Sequence, residues 1–392
     1  MKICAVICEF NPFHNGHEYI LYNLREKGFT HIIAVMSGNF VQRACPALFP
    51  KEARTKAALL CGADLVIELP LPYATATAER FAFGGCEIIK ALGCVDAVAF
   101  GAETANVKEL INIAETLTSE TFSEKIKKYL EQGLSFAESR EKSLNEFSHL
   151  NSEIVKTPNN ILAIEYIKHL LKSDIDIIPI TRKFSEHDKE GEINGFSSAS
   201  YIRENWGANF LNNVMPKKSL EIFKEYENQG EILSNQKIFD LIMLSHLRNL
   251  DLDDIKNLPY ISEGIENKFY NAIKSSVSSD ELFSKVKSKR YSHSRIRRIA
   301  LSGFLNITKD FINIQPPYAH ILGFNQKGSE ILTIAKKTSA IPISHSLKKL
   351  SEIDSVCSKF SVLESNSTNQ YNLLLDKIKP CGTDYTNRII KI

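Results

Sequence analysis

His14 and His17 stand three residues apart in the run Glu9-Phe10-Asn11-Pro12-Phe13-His14-Asn15-Gly16-His17. Two imidazoles at that spacing can donate hydrogen bonds to the oxygens of one phosphate group. Gly16 between them lets a ligand come close to the backbone. The apolar run Ile3–Cys8 before them reads as a buried strand, and Tyr19–Leu24 after them as the start of a helix. A strand-to-helix junction presents unpaired backbone N–H groups and the positive end of the helix dipole, which favour an anion. Open parallel sheets hold their ligands beyond the carboxyl ends of the strands. The chemistry implied is phosphate recognition and transfer.

Further loops fall at strand ends. Ser37-Gly38-Asn39-Phe40-Val41-Gln42-Arg43 brings an arginine to a Gly-Asn loop, where it can hold an anion. Gly101 closes one strand, and Thr181-Arg182-Lys183 follows another. Pro158-Asn159-Asn160 puts two amides at a helix start, suited to cap the helix or to touch a ribose or base. In Ser198-Ala199-Ser200-Tyr201-Ile202-Arg203, two hydroxyls at a helix start precede an arginine one turn on, an arrangement that suits a triphosphate tail. In the second half, Lys285–Arg298 contains seven Lys or Arg and no acid. Lys287, Lys289, Arg290, Arg295, Arg297 and Arg298 of that stretch are the expected contacts to a nucleic-acid backbone, with salt-sensitive binding.

The elements that must position these residues alternate. Strands are expected at 3–8, 31–38, 64–70, 96–101 and 176–181. Helices are expected at 50–60, 77–92, through much of 106–148, and at 158–171. Near-continuous apolar strands alternating with helices imply a parallel sheet covered on both faces. Strand alternation stops near residues 205–215. The expected architecture is therefore a Rossmann-like α/β unit over 1–205 and a mainly helical unit over 206–392, with short strands near 319–343.

With 392 residues, 43% hydrophobic and 24% charged, the composition is that of an ordinary globular chain. A net charge of +2 means that affinity for nucleic acid must come from local patches. No apolar run approaches the ~20 residues of a membrane span. The apolar run at the N-terminus is too short for a signal-peptide core. Eight scattered cysteines without a Cys-x-x-Cys pair suggest buried thiols, a reducing cytoplasm and no zinc framework. Neither Gly-x-x-x-x-Gly-Lys-[Ser/Thr] nor Gly-x-Gly-x-x-Gly is present, so a P-loop ATPase or a dehydrogenase is unsupported. No Gly-x-Ser-x-Gly elbow is present either.

Cys8–His17, Met36–Arg43, Gly62–Pro70 and Pro158–Leu162 together closely resemble the bacterial tRNA(Met) cytidine acetate ligase family. That family lies within the nucleotidyltransferases with a His-x-x-His signature. Ser198–Arg203 resembles the second phosphate motif of the superfamily. The likeness runs through the first ~205 residues and continues more loosely to the end. It implies that acetate and ATP give acetyl-adenylate, and that the acetyl group passes to N4 of the wobble cytidine in elongator tRNA(Met). By resemblance, ATP contacts are expected from Ile7, Cys8, Glu9, Phe10, Asn11, Pro12, Phe13, His14, Asn15, Gly16, His17, Glu18, Tyr19 and Ile20. Gly101, Asn160 (with Asn159 as the alternative) and Arg182 join them. His14 and His17 are the expected catalytic pair, and Ser200 and Arg203 the expected hold on the β and γ phosphates. Magnesium is expected on the phosphates, with no carboxylate ligand evident from spacing. One departure is that Ala44 follows Gln42-Arg43 where the family tends to have Gly. Two other readings stay open. An adenylyltransferase of cofactor biosynthesis would share the first half but have no use for a basic helical second half. An RNA-binding protein with a vestigial nucleotide site is opposed by the intact His14, Gly16 and His17. The sequence leaves the oligomeric state open.

Overall fold

The strands form where apolar side chains alternate between two buried faces. In a computed structural model, which describes residues 1–134, 136–147, 152–182, 191–262 and 264–392, β1 (Ile3–Cys8), β2 (His31–Ser37), β3 (Leu65–Leu69), β4 (Ala97–Ala102) and β5 (Asp176–Thr181) run parallel in the spatial order 3-2-1-4-5. Cys4, Val6, Ala34 and Ala99 face α1 (Asn15–Glu26) and α2 (Lys51–Leu60). Ala5, Ile33, Val35, Val98 and Phe100 face α3 (Ala78–Leu92) and α4 (Pro158–Leu170). Both faces are thus covered, which is why these strands read as continuous apolar runs. The order of the strands reverses direction between β1 and β4, and that switch point opens a crevice at their carboxyl ends.

Beyond residue 206 the chain is mainly helical, and it also returns to the sheet. β6 (Ala319–Phe324) pairs antiparallel with β3, β7 (Ile343–Ser344) pairs with β6, and β8 (Ile390–Lys391) runs parallel to β6 on its outer side. Gly323 permits this closure, because a Cβ there would stand 2.8 Å from the carbonyl oxygen of Ile390. A separate helical core gathers Phe239, Leu247, Phe269, Ile296 and Phe304, and includes Phe40 and Leu71 of the first half. Among the described residues no helix is long and apolar enough to cross a membrane.

A buried ionic group joins the two halves. Lys51 Nζ lies 2.7 Å from Glu68 Oε1 and 2.9 Å from Asp384 Oδ1, each side chain at most 2% exposed. His320 Nδ1 lies 2.7 Å from the other oxygen of Glu68. Burial works against the charge of Lys51, yet Asp384 and Glu68 outweigh it and hold the ammonium protonated. Nearby Glu364, on the long helix Ser355–Asn372, accepts from the backbone N–H of Leu71. Burial and then the charge of Glu68 push its carboxyl well above the usual range. Removing one member of such a group leaves uncompensated buried charge. Lys51→Met should cost about 3–5 kcal/mol of unfolding free energy by urea titration. An effect below ~1 kcal/mol would mean that water or a neighbour replaces the ammonium.

Candidate functional site

The six residues between β1 and α1, Glu9–His14, decide the site. Phe10 takes φ 48°, a left-handed value that turns the chain sharply after β1. Phe13 is fully buried, and its carbonyl accepts from the Ser219 hydroxyl at 2.9 Å. This brings His14 to the N-cap of α1, so the helix begins at Asn15, one turn earlier than the apolar run from Tyr19 suggests. The capping is reciprocal. His14 Nδ1 accepts from the backbone N–H of Gly16 at 3.0 Å, and His17 Nδ1 accepts from that of His14 at 3.2 Å. The two rings lie 3.8 Å apart between centroids, with Phe10 against His17 at 5.0 Å.

This geometry fixes the tautomer. Because each Nδ1 accepts, the proton of each neutral ring sits on Nε2, leaving that N–H to donate elsewhere. Burial, then the positive fields of Arg182 and Arg203, pulls His14 down to about 3. Burial, then His14 and Arg182, holds His17 well below the usual histidine range. Both rings are therefore neutral N–H donors at physiological pH.

They open onto a cavity of about 450 Å³ at the β1/β4 switch point. It is lined by Ile7, Cys8, Glu9, Phe10, His14, Gly16, His17, Tyr19, Ile20, Gly101, Arg182, Ser200 and Arg203, all singled out by sequence. A Cβ on Gly101 would meet Arg182 Cγ and Ile20 Cδ1 at 3.4 Å each, so the glycine lets the arginine stem lie across the strand end. Arg203 donates to the Asn11 carbonyl at 2.7 Å, which aims α5 (Ala199–Glu204) at the histidine loop. Ser198 caps that helix, and its hydroxyl lies 3.2 Å from that of Ser200.

Other expected contacts lie elsewhere. Asn11 and Pro12 are buried, and Asn11 Oδ1 accepts from Leu48 N. Asn15 donates to the carbonyls of Gly195 and Asn213, and Glu18 points to solvent. Asn160 is 1% exposed and held by Thr104 behind the wall, whereas Asn159 lines the cavity and donates to Glu103 at 2.6 Å. Lys183 lies outside the described residues. Sequence reasoning did not single out Phe81, Leu162, Tyr166, Ile180 or Phe196 as lining residues. They read as ordinary helix or strand positions and carry no local signal. The loop 39–45 forms the rim with Gln42 and Arg43. Ala44, where the sequence departs from the family pattern, takes φ 57°, the left-handed region that glycine enters without strain. Burial pushes the thiols of Cys8 and Cys45 up, the latter to about 11, so neither is a nucleophile at neutral pH.

The basic stretch divides. Arg295 donates to the Tyr260 carbonyl and the Ser262 hydroxyl, and Arg298 to the carbonyls of Ala76 and Gln42. These two tie the helix α6 (His293–Phe304) to its neighbours and to the cavity rim. Lys285 pairs with Glu281, an acid just outside the stretch. Lys287, Lys289, Arg290 and Arg297 are exposed, with Arg297 over the Phe283 ring.

A model of the HIGH nucleotidyl transferase family matches residues 1–385. The tRNA(Met) cytidine acetate ligases of Thermoanaerobacter sp. (strain X514) and Clostridium tetani (strain Massachusetts / E88) are 39% and 38% identical to it, each over 100% of both chains. The chain belongs to the tRNA(Met) cytidine acetate ligase family. Thermotoga maritima TmcAL, crystallised with α-thio ATP, shares the fold with a TM-score of 0.91 at 32% identity, covering 100% of this chain and 99% of that one. The mixed sheet with a parallel core and a mainly helical second half is thus the architecture of the family, and the expected α/β class holds.

The depressed histidines have a consequence for stability. In the unfolded chain each would titrate near ~6.5; folded, His14 titrates near 3. Below ~6.5 the unfolded state therefore binds more protons, and stability falls as the pH drops toward 3. Replacing His14 with Asn, which can also cap, should flatten the stability–pH slope between pH 6 and 4 by close to one proton. That is about 1.4 kcal/mol per pH unit. Urea titrations across that range check this; parallel slopes would mean His14 is charged in the fold.

Proposed function

We propose that this chain ligates acetate to N4 of the wobble cytidine of elongator tRNA(Met) in the cytoplasm, consuming ATP and releasing AMP and pyrophosphate. The observation that carries the reading is the pair of neutral Nε2–H donors at the start of α1, flanked by Arg182 and Arg203 in one cavity. Family membership and the nucleotide analogue in the Thermotoga protein support it.

In the first step a carboxylate oxygen of acetate attacks the α-phosphorus. The new O–P bond forms as the bond to the β-phosphate oxygen breaks, and pyrophosphate departs with the electron pair. Charge grows on the phosphoryl oxygens and the leaving group. His14 and His17 donate to it without changing charge, while Arg182 and Arg203 neutralise it. In the second step cytidine N4 attacks the acetyl carbon, the C–O bond to AMP breaks, and N4 loses a proton to solvent. Magnesium would accompany the triphosphate. Glu9 is the one carboxylate among the described lining residues, so the phosphates and water would supply most of its ligands.

His14→Ala and His17→Ala should each lower acetate-dependent ATP–pyrophosphate exchange by ~10²-fold or more, the scale of one lost oxyanion donor. Near-normal exchange in the double variant would remove the pair from the chemistry.

The exposed cations Lys287, Lys289, Arg290 and Arg297 are proposed to follow the tRNA backbone, with Arg295 and Arg298 holding the segment in place. Charge reversal at Lys287, Lys289 and Arg297 should weaken tRNA binding. Each lost duplex contact should reduce its log–log salt slope by roughly 0.9. Acetate-dependent exchange should persist. Unchanged tRNA affinity would place the RNA on another face.

A further inference from the structure

The cavity wraps around the ends of β1 and β4 and so has two sides. On the α1 side lie the phosphate donors, His14, His17, Arg182 and Arg203, together with Gly101 and Ile20. On the α3/α4 side it continues into a recess walled by Ile7, Phe81, Phe100 and Leu162. Those are apolar. Apart from Asn159 at the start of α4, which is already committed to Glu103, the polar group that these two helices bring to the cavity is the hydroxyl of Tyr166. Tyr166 is only 4% exposed, its ring lies 5.5 Å from that of Phe100, and its hydroxyl has no hydrogen-bond partner among the described residues. A phenol that lines a cavity and makes no hydrogen bond within the protein is free to donate to what the cavity holds.

The wall behind the recess is stiff. A Cβ on Gly85 of α3 would stand 2.6 Å from Ile7 Cδ1, so this helix already rests on Ile7. Tyr166 is anchored through its backbone, whose carbonyl accepts from the Cys86 thiol at 3.8 Å. Burial, then the nearby Cys86, Cys8 and Glu9, keeps the phenol protonated and able to donate.

In-line displacement at phosphorus needs the nucleophile opposite the leaving group. With pyrophosphate on the histidine and arginine side, the nucleophile must come from the α3/α4 side. We propose that this recess is the acid subsite: Tyr166 donates its hydroxyl to the carboxylate of acetate, and Phe81 and Leu162 close around the methyl group and exclude longer acids. This rests on the acetate-ligating reading above and names the residues that position and select the acid.

The test is ATP–pyrophosphate exchange by the full chain with acetate, propionate and butyrate. Tyr166→Phe should raise KM for acetate roughly tenfold or more, the scale of one hydrogen bond to a charged group, with KM for ATP within about twofold. Leu162→Ala should raise kcat/KM for propionate relative to acetate by roughly tenfold, as expected for one methylene. The second variant keeps the hydroxyl and carries the test where Tyr166→Phe fails to fold. Unchanged acetate KM in folded Tyr166→Phe, or an unchanged chain-length preference in Leu162→Ala, overturns the assignment. It is also overturned if Tyr166→Phe slows only acetyl transfer to tRNA while exchange is intact, since the recess would then seat the cytosine. Absence of acetate-dependent exchange in the unaltered protein would instead overturn the functional reading itself.

Discussion

The guanidinium of Arg54 holds the carboxyl edge of the sheet in shape. It is fully buried on α2 and, among the described residues, faces no carboxylate at hydrogen-bond distance. Its N–H groups go instead to four backbone carbonyls. Nε donates to Phe49 at 3.0 Å, one terminal nitrogen to Glu9 at 2.8 Å and Ser37 at 3.0 Å, and the other to Gly38. These carbonyls belong to loops that leave β1 and β2 and enter α2. Such loops have no ladder of their own, and buried carbonyls without donors are expensive. One rigid five-donor fork meets that demand at a single point. Burial pulls its pKa down, and Tyr371, Glu9 and Glu52 resist. The histidine loop begins at Glu9, and the rim loop at Gly38, so both sides of the cavity hang from this side chain.

A second layer of constraint passes through the rim loop. Glu9 Oε1 accepts from the Gln42 N–H at 2.9 Å, while the Gln42 carbonyl accepts from Arg298 of α6. The histidine loop and the helical second half thus meet on the backbone of one residue, Gln42. Asn39, at the start of the same loop, accepts from Lys51 N at 2.8 Å and donates to Thr368 at 3.2 Å, and Thr368 in turn donates to Asp384. The site therefore stands on contacts from both halves of the chain, although His14, His17, Arg182 and Arg203 come from the first alone.

What the sequence disclosed follows from how local each signal is. The first four parallel strands were legible because burial on both faces leaves them largely apolar, and the edge strand β5 because its centre, Ile177–Ile180, is apolar. The start of α1 was misplaced because an imidazole N-cap is outside the usual Ser, Thr, Asp and Asn set. The choice between Asn159 and Asn160 could not be read, since adjacent helix positions point about 100° apart and only the fold says which way is inward. It sends Asn159 to the cavity and Asn160 to Thr104. Charge counting marked Arg295 and Arg298, but composition does not separate a cation in water from one that donates to carbonyls. Tyr166 looked like a core aromatic, and its hydroxyl becomes notable only once the void beside it is known. The place of β6 beside β3 was equally hidden, because its partners are far apart along the chain.

That separation matters while the protein is being made. Glu68 of β3 and His320 of β6 are 252 residues apart. At ~5–20 residues per second, ~13–50 s of synthesis separate the two. For that time the outer edge of β3, Leu65–Leu69, is an unpaired apolar strand of a nascent parallel sheet. Such an edge invites pairing with another chain. Glu68 stands within it, a charge pointing into what will become the interior, and Pro70 follows at once. Both are features that discourage strand addition. The same carboxylate that later joins Lys51 and His320 in the finished protein thus guards the growing sheet against the wrong neighbour until the right one is synthesised.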